Sequence, residues 1–167
     1  MDRLFLAAWP DALTSAALRE LGEGDEHGVR LVPEPNWHIT LRFLGDADER
    51  DVVGIVTGLT LPAVRAIVGP SVERLDDRQI VVPVTGVDRL AAVLRDATAA
   101  LGRPDQHAFR GHLTIARTTP DASSALLGRP VAGDFDVNEV ALVRSELRPA
   151  GANYTTVATF PTVPVNG

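Results

Sequence analysis

The sequence predicts a mixed helix-and-strand fold built from two similar halves, and three observations point there. The stretch 36–45, Asn-Trp-His-Ile-Thr-Leu-Arg-Phe-Leu-Gly, is echoed at 111–117 by Gly-His-Leu-Thr-Ile-Ala-Arg, so a His-aliphatic-Thr-aliphatic unit occurs once in each half. Short apolar runs of strand character alternate with segments of helical spacing along the whole chain. No linker or low-complexity segment is long enough to separate independent domains, and 167 residues is an ordinary size for one domain.

The elements follow in order. The segment 3–9 is short and apolar and reads as a first strand. Pro10 then opens a helix at a position where its missing N–H costs nothing. Leu13, Ala16, Ala17 and Leu21 keep helical spacing until Gly22-Glu23-Gly24 ends the run. A short strand at 29–32 precedes Pro33-Glu34-Pro35, a rigid connector. The first repeated stretch is a strand over 37–44, stopped by Gly45-Asp46. Asp48 can cap a helix with core positions at Val52, Val53, Ile55, Val56 and Leu59, weakened by Gly54 and Gly58. The runs 63–68 and 79–84 read as strands, with Leu75-Asp76-Asp77-Arg78 as a turn between strands. The clearest helix spans 87–101, where Leu90, Ala91, Leu94, Ala97 and Leu101 share one stripe and Gly102 closes it. The second repeated stretch is a strand over 109–117, and 120–127 is read as one or two helical turns. A closing pair of strands, 137–147 and 153–160, is joined by Pro149-Ala150-Gly151-Ala152, and a loose tail follows Pro161.

Composition narrows the function classes. Cysteine is absent, which excludes disulfides, thiolate metal sites and a cysteine nucleophile. The N-terminus is apolar too briefly for a secretory signal, and no run approaches a membrane span, so a soluble cytoplasmic protein with no membrane partner is expected. The formal net charge is −6 with no block of basic residues. A groove for a long duplex is therefore not expected, whereas a small phosphate ligand or a chain end remains open.

The repeated unit carries the chemistry. Residues i and i+2 of a strand project to one face, so His38 projects with Thr40, and His112 with Thr114, while the aliphatic neighbours point to the core. Two such pairs face to face form a cluster of two imidazoles and two hydroxyls. Imidazole titrates near neutrality, so one ring can take a proton from water while the other gives one to a departing oxygen. Threonine hydroxyls can hydrogen-bond phosphate oxygens. On residues alone, two half-buried polar pairs without function fit the pattern equally well. A metal site lacks same-face carboxylates, and His27 and His107 lie in loop-like segments. Neither a nucleophile-elbow serine nor a glycine-rich phosphate loop is present. The nearest cations are Arg42 and Arg117. Strict alternation puts Arg117 on the face opposite His112, although a strand end or bulge would bring it to the rim. Trp37, Phe5, Phe43 and Tyr154 could stack on a base, but core packing is the simpler role for each.

At this point the chain resembles the two-histidine (2H) phosphoesterases, and within them the RNA 2′,3′-cyclic phosphodiesterases also called 2′-5′ RNA ligases. The similarity rests on the opening 3–7, on 32–45 and 109–117 around the two motifs, and on the closing hairpin 146–154. It implies an α+β, bilobal, pseudo-twofold fold with two antiparallel sheets, outer helices and a central cleft, forming a single domain over 1–167. It implies a site without metal or cofactor, with His38 as general acid, His112 as general base, and Thr40 and Thr114 on the phosphate; Arg117 is kept as a candidate substrate contact. The implied reaction opens a terminal 2′,3′-cyclic phosphate on RNA to a 2′-phosphomonoester, and some members also join tRNA halves through a 2′-5′ bond. The expected partner is such an RNA 3′ end or a small cyclic nucleotide, bound by a monomer. A small cyclic phosphate such as one derived from ADP-ribose, or a non-catalytic phosphate-end binding module, are the competing readings. Gly111 stands where the family commonly has Pro and is expected to loosen the approach to the second strand, and 64–84 matches poorly.

Overall fold

In the computed structural model, residues 2–22 and 25–164 are described. The chain forms β1 (Asp2–Ala8), α1 (Ala12–Arg19), β2 (Val29–Leu31), a 3-10 turn (Glu34–Asn36), β3 (Ile39–Ala47), α2 (Glu49–Thr57), β4 (Val64–Val68), β5 (Glu73–Asp76), β6 (Gln79–Thr85), α3 (Asp88–Ala97), β7 (His112–Thr118), β8 (Gly133–Val137), β9 (Glu139–Arg148) and β10 (Gly151–Pro161).

Every strand pairing is antiparallel, and the hydrogen-bonded order is β10-β9-β1-β3-β7-β6-β4-β8, with β2 beside β7 and β5 beside β6. The order is symmetric about its middle. A β1-α1-β3 unit in one half matches a β6-α3-β7 unit in the other, and the two motif strands are neighbours at the seam. They meet through one pair, Ile39 opposite Leu113. The expected bilobal α+β architecture holds, its two sheets being the halves of one hydrogen-bonded path. The helices cross between halves: α1 packs on β8 and α3 on β3.

The main core is continuous through both halves and contains Leu4, Leu6, Ile39, Leu41, Leu44, Val82, Leu90, Leu94 and Leu113. A smaller cluster of Phe5, Ala7, Ala141 and Val143, with Trp9 and Tyr154 against it, lies on the other face of β1 and β9. Among the described residues no helix is long and apolar enough to cross a membrane.

Several elements differ from expectation for identifiable reasons. Asp11 caps α1, its side chain accepting from Thr14 N–H at 2.8 Å, so Pro10 lies before the helix. The buried stripe is Thr14, Leu18 and Leu21, while Leu13 is 82% exposed. Gly133 of β8 explains this, because its missing side chain leaves room for Thr14. The expected stop at Glu23-Gly24 lies outside the described residues. β3 runs through Gly45, which takes φ +68°. The strands β5 and β8 were not anticipated, and 120–127 forms turns rather than helix. Thr162 and Val163 are not loose: their N–H groups donate to Asn138 and Leu61 carbonyls at 2.9 and 2.8 Å.

Candidate active site

The two motif strands are bulged at the same place. On β3, Leu6 faces Arg42 and Ala7 faces Thr40, which leaves Leu41 as an extra residue. On β7, Val81 faces Thr114 and Ile80 faces Ala116, which leaves Ile115 extra. A bulge resets the in-out alternation of a strand. Leu41 and Arg42 are therefore buried in succession, as are Ile115 and Ala116. The next residue in each strand, Phe43 and Arg117, returns to the face of His38–Thr40 and His112–Thr114 and lines the cleft with them. The reading that put Arg117 on the opposite face is corrected by this bulge, and Arg117 stands with the motif residues.

The same bulge removes Arg42 from the candidate cations. Its side chain is 1% exposed. Nε donates to Thr98 Oγ1 at 3.0 Å, Nη1 to the Phe43 and Arg103 carbonyls at 2.9 and 2.7 Å, and Nη2 to the Thr98 and Leu101 carbonyls at 3.2 and 2.9 Å. Asp105 accepts a further bond at 3.1 Å. Arg42 thus satisfies carbonyls at and just beyond the end of α3 and holds the following loop against β3.

The cleft has a volume of about 480 Å³ and brings together His38, Thr40, His112, Thr114 and Arg117. Both rings are tethered alike. His38 Nδ1 lies 2.8 Å from the Asn36 carbonyl and His112 Nδ1 lies 2.7 Å from the Arg110 carbonyl, two residues back in each case. A carbonyl only accepts, so Nδ1 carries the proton and Nε2 holds the lone pair of the neutral ring. Thr40 donates to His38 Nε2 at 2.9 Å. Thr114 donates to Gln79 Oε1 at 3.0 Å.

Aromatic walls surround the first ring. His38 packs on Phe5 with ring centres 4.7 Å apart, and the edges of Trp9 and Tyr154 meet it at 5.9 and 5.4 Å. Phe5 and Trp9 are therefore packing groups, as expected of Phe5; Trp37 packs against the main core with its N–H on the Val32 carbonyl. Burial pushes the His38 pKa down to about 4, opposed by the Asn36 carbonyl and reinforced by the nearby His112 and Arg117 charges. Burial also lowers the His112 pKa, against the Arg110 carbonyl, with Arg110 and Arg117 adding to the fall and Asp76 opposing it. Burial raises the Tyr154 pKa, so its hydroxyl stays protonated. Both imidazoles are neutral at pH 7.

The field of the cleft opposes the net charge of the chain. Arg3, Arg30, Arg117 and Arg148 line it, and no described carboxylate does. Arg148 is paired with Glu146 at 3.0 Å, whereas Arg117 has no carboxylate partner among the described residues. Such a cleft concentrates anions. No three His, Asp or Glu side chains among the described residues are gathered to hold a metal ion. Sequence reasoning missed Gln79, whose only signal is its place opposite Arg117 on the paired strand. It also missed Arg3 and Arg30, which no motif marks.

Gly111 does not loosen the second strand. A Cβ there would lie 2.4 Å from the Val84 carbonyl oxygen, and the Gly111 carbonyl accepts from Val84 N–H at 2.9 Å. Glycine lets β7 start in tight contact with the end of β6, one residue before His112.

Comparison with known proteins agrees with the fold. The family model LigT like Phosphoesterase matches residues 10–65. No curated protein sequence matches the chain. A solved phosphoesterase structure is 24% identical with a TM-score of 0.80, covering 97% of this chain and 99% of its own. A Thermus thermophilus protein is 26% identical with a TM-score of 0.75, covering 95% and 97%. E. coli LigT complexed with 3′-AMP is 24% identical with a TM-score of 0.79, covering 96% and 98%.

Proposed function

We propose that this chain, a LigT-like phosphoesterase by its match over residues 10–65 and by its fold throughout, hydrolyses 2′,3′-cyclic phosphodiester ends of RNA to 2′-phosphomonoesters without a metal. The observation that carries the reading is the pair of identically tethered histidines, Nδ1 on a carbonyl in each half and Nε2 left for chemistry, in a cleft lined by arginines. The complexes of E. coli LigT with 3′-AMP, NADP+ and ATP support a nucleotide phosphate as the ligand.

The cyclic phosphate sits between the two rings. His112, neutral at pH 7, accepts the proton of an attacking water at Nε2. The new P–O bond forms as the P–O3′ bond breaks, and protonated His38 gives its Nε2 proton to O3′. The phosphate remains on O2′. His38 gains its proton with the substrate, because the phosphate's negative charge favours the imidazolium that burial alone disfavours. The tethers are alike in both halves, so the acid and base assignment rests on the family resemblance. Each proton transfer is worth about 10²–10⁴ in rate. Thr40 and Thr114 donate to the phosphate once their present partners release them, and Arg117 opposes the charge that builds on the equatorial oxygens. The same ring opening, with an RNA 5′ hydroxyl attacking in place of water, forms the P–O5′ bond as the P–O3′ bond breaks and accounts for 2′-5′ joining.

A single cyclic nucleotide as substrate is the second reading, favoured by the single nucleotides in the LigT complexes. Incubation with an oligoribonucleotide ending in 2′,3′-cyclic phosphate tests the proposal. Conversion to the 2′-phosphate is expected; binding of the 2′-phosphorylated product with no turnover of the cyclic form would point to the binding module instead.

A further inference from the structure

The two halves give their histidines different companions. The bulge on each motif strand puts Phe5 opposite Phe43 and Gln79 opposite Arg117, so Phe5 and Gln79 hold equivalent places in the two halves. Phe5 packs its ring on His38, with the edges of Trp9 and Tyr154 around it. Gln79 instead turns an amide towards the motif pair on β7, where Thr114 donates to its Oε1 at 3.0 Å. One imidazole therefore has an aromatic wall, and the other motif pair has a polar neighbour.

The Gln79 amide is fixed at both ends. Its Nε2 donates to Asp76 Oδ2 at 3.2 Å, and Asp76 Oδ1 accepts from the Arg78 N–H at 2.8 Å in the turn between β5 and β6. A carboxylate only accepts, so the amide nitrogen faces Asp76 and the carbonyl oxygen faces the cleft. Thr40 donates to His38 Nε2, whereas Thr114 donates to Gln79, and His112 Nε2 has no hydrogen-bond partner among the described residues. Burial lowers both ring pKa values, but Asp76 opposes the fall at His112 and no carboxylate does so at His38.

We propose that Gln79 orients the attacking water together with His112. The inference rests on the cyclic phosphodiesterase reading above and adds a residue to that site. Water brings two protons to the reaction. When Thr114 turns its hydroxyl to the phosphate, Gln79 Oε1 loses its donor while Asp76 still holds the amide. One water proton then passes to His112 Nε2 as the water oxygen bonds phosphorus. The other stays on that oxygen, donates to Gln79 Oε1, and ends on the 2′-phosphomonoester. The P–O3′ bond breaks, and O3′ takes the His38 proton. An amide oxygen orients a water without removing its proton. Phe5 offers no acceptor in the equivalent place beside His38, so the geometry, and not resemblance alone, gives the water to His112.

An alcohol carries a single hydroxyl proton, which goes to His112 and leaves nothing for Gln79 to accept. The test therefore reads the partition between hydrolysis and methanolysis of an oligoribonucleotide ending in 2′,3′-cyclic phosphate, in buffer containing methanol. Mass spectrometry counts the 2′-phosphate and the 2′-(methyl phosphate) from the natural chain, from Gln79→Met, and from a paired variant, Asp76→Asn with Gln79→Glu. The pair reverses donor and acceptor between the two side chains and keeps an oxygen towards Thr114. Gln79→Met is expected to lower the ratio of water product to methanol product by about three- to tenfold, the size of one neutral hydrogen bond. The paired variant is expected to keep the ratio of the natural chain. The ratio does not depend on how much of the protein is active, so a loss of folded material does not mimic the effect. Equal ratios for the natural chain and Gln79→Met, including no methyl product from either, overturn the proposal, as does a paired variant that falls with Gln79→Met. Absence of all turnover by the natural chain counts against the proposed function, while turnover with equal ratios counts against Gln79 alone.

Discussion

Acidification should expose the strain that burial places on His38. Its pKa is about 4 in the folded chain against 6.5 for an ordinary imidazole. The unfolded chain therefore binds more protons between these values, and stability falls as pH drops. The contribution is complete above about pH 6.5 and disappears as pH falls towards 4. A gap of this size corresponds to roughly 3 kcal/mol at its limit and to about 2.5 kcal/mol by pH 4.5. The lowered pKa of His112 acts with the same sign. Denaturant unfolding at pH 7.5, 6.0 and 4.5 on the natural chain and on His38→Gln isolates the effect, because carboxylate titration common to both cancels in the difference. The natural chain should lose about 2.5 kcal/mol more than the variant between pH 7.5 and 4.5, and ring-proton NMR should show His38 titrating well below 6. Parallel pH profiles, or a ring that titrates at 6.5, would refute the burial argument.

Three further outcomes follow from the geometry. His112→Ala should lower kcat on a cyclic-phosphate oligonucleotide by about 10²–10⁴, and the double variant with His38→Ala should lose far less than the product of the two, since the rings act as one unit. Arg42→Met should destabilise the fold by at least about 3 kcal/mol in denaturant titrations, because several carbonyls it satisfies are left buried without a donor. Gly111→Ala should lower the melting temperature markedly and reduce activity, since the new methyl meets the Val84 carbonyl and displaces His112; an unchanged melting temperature would show that β7 relaxes freely.

Much of the site was legible because it depends on local periodicity. The i, i+2 rule put each histidine with its threonine, and both pairs line one cleft. The heptad-like stripe of α3 put Leu90, Ala91 and Leu94 in the core, where they are. Periodicity failed where the chain breaks it. No residue type announces that Leu41 or Ile115 is an extra residue in its strand; the bulge is set by pairing with β1 and β6. Arg42 and Arg117 consequently exchanged apparent roles, one turning into the core and the other into the cleft. The stripe of α1 slipped for a similar reason, since Gly133 lies 119 residues beyond Thr14 in the chain and only the fold brings them together. The cation set of the cleft was illegible as well, because Arg3, Arg30 and Arg117 come from three separate strands or their edges.

The central claim is that two tethered imidazoles open the cyclic phosphate and leave it on O2′. Its most direct measurement is product identity from an oligoribonucleotide ending in 2′,3′-cyclic phosphate, in EDTA, for the natural chain, His38→Ala and His112→Ala. The account predicts a 2′-phosphate from the natural chain and almost none from either variant, with the fold intact in all three. A 3′-phosphate product, dependence on a metal, or full turnover in either single variant would contradict it.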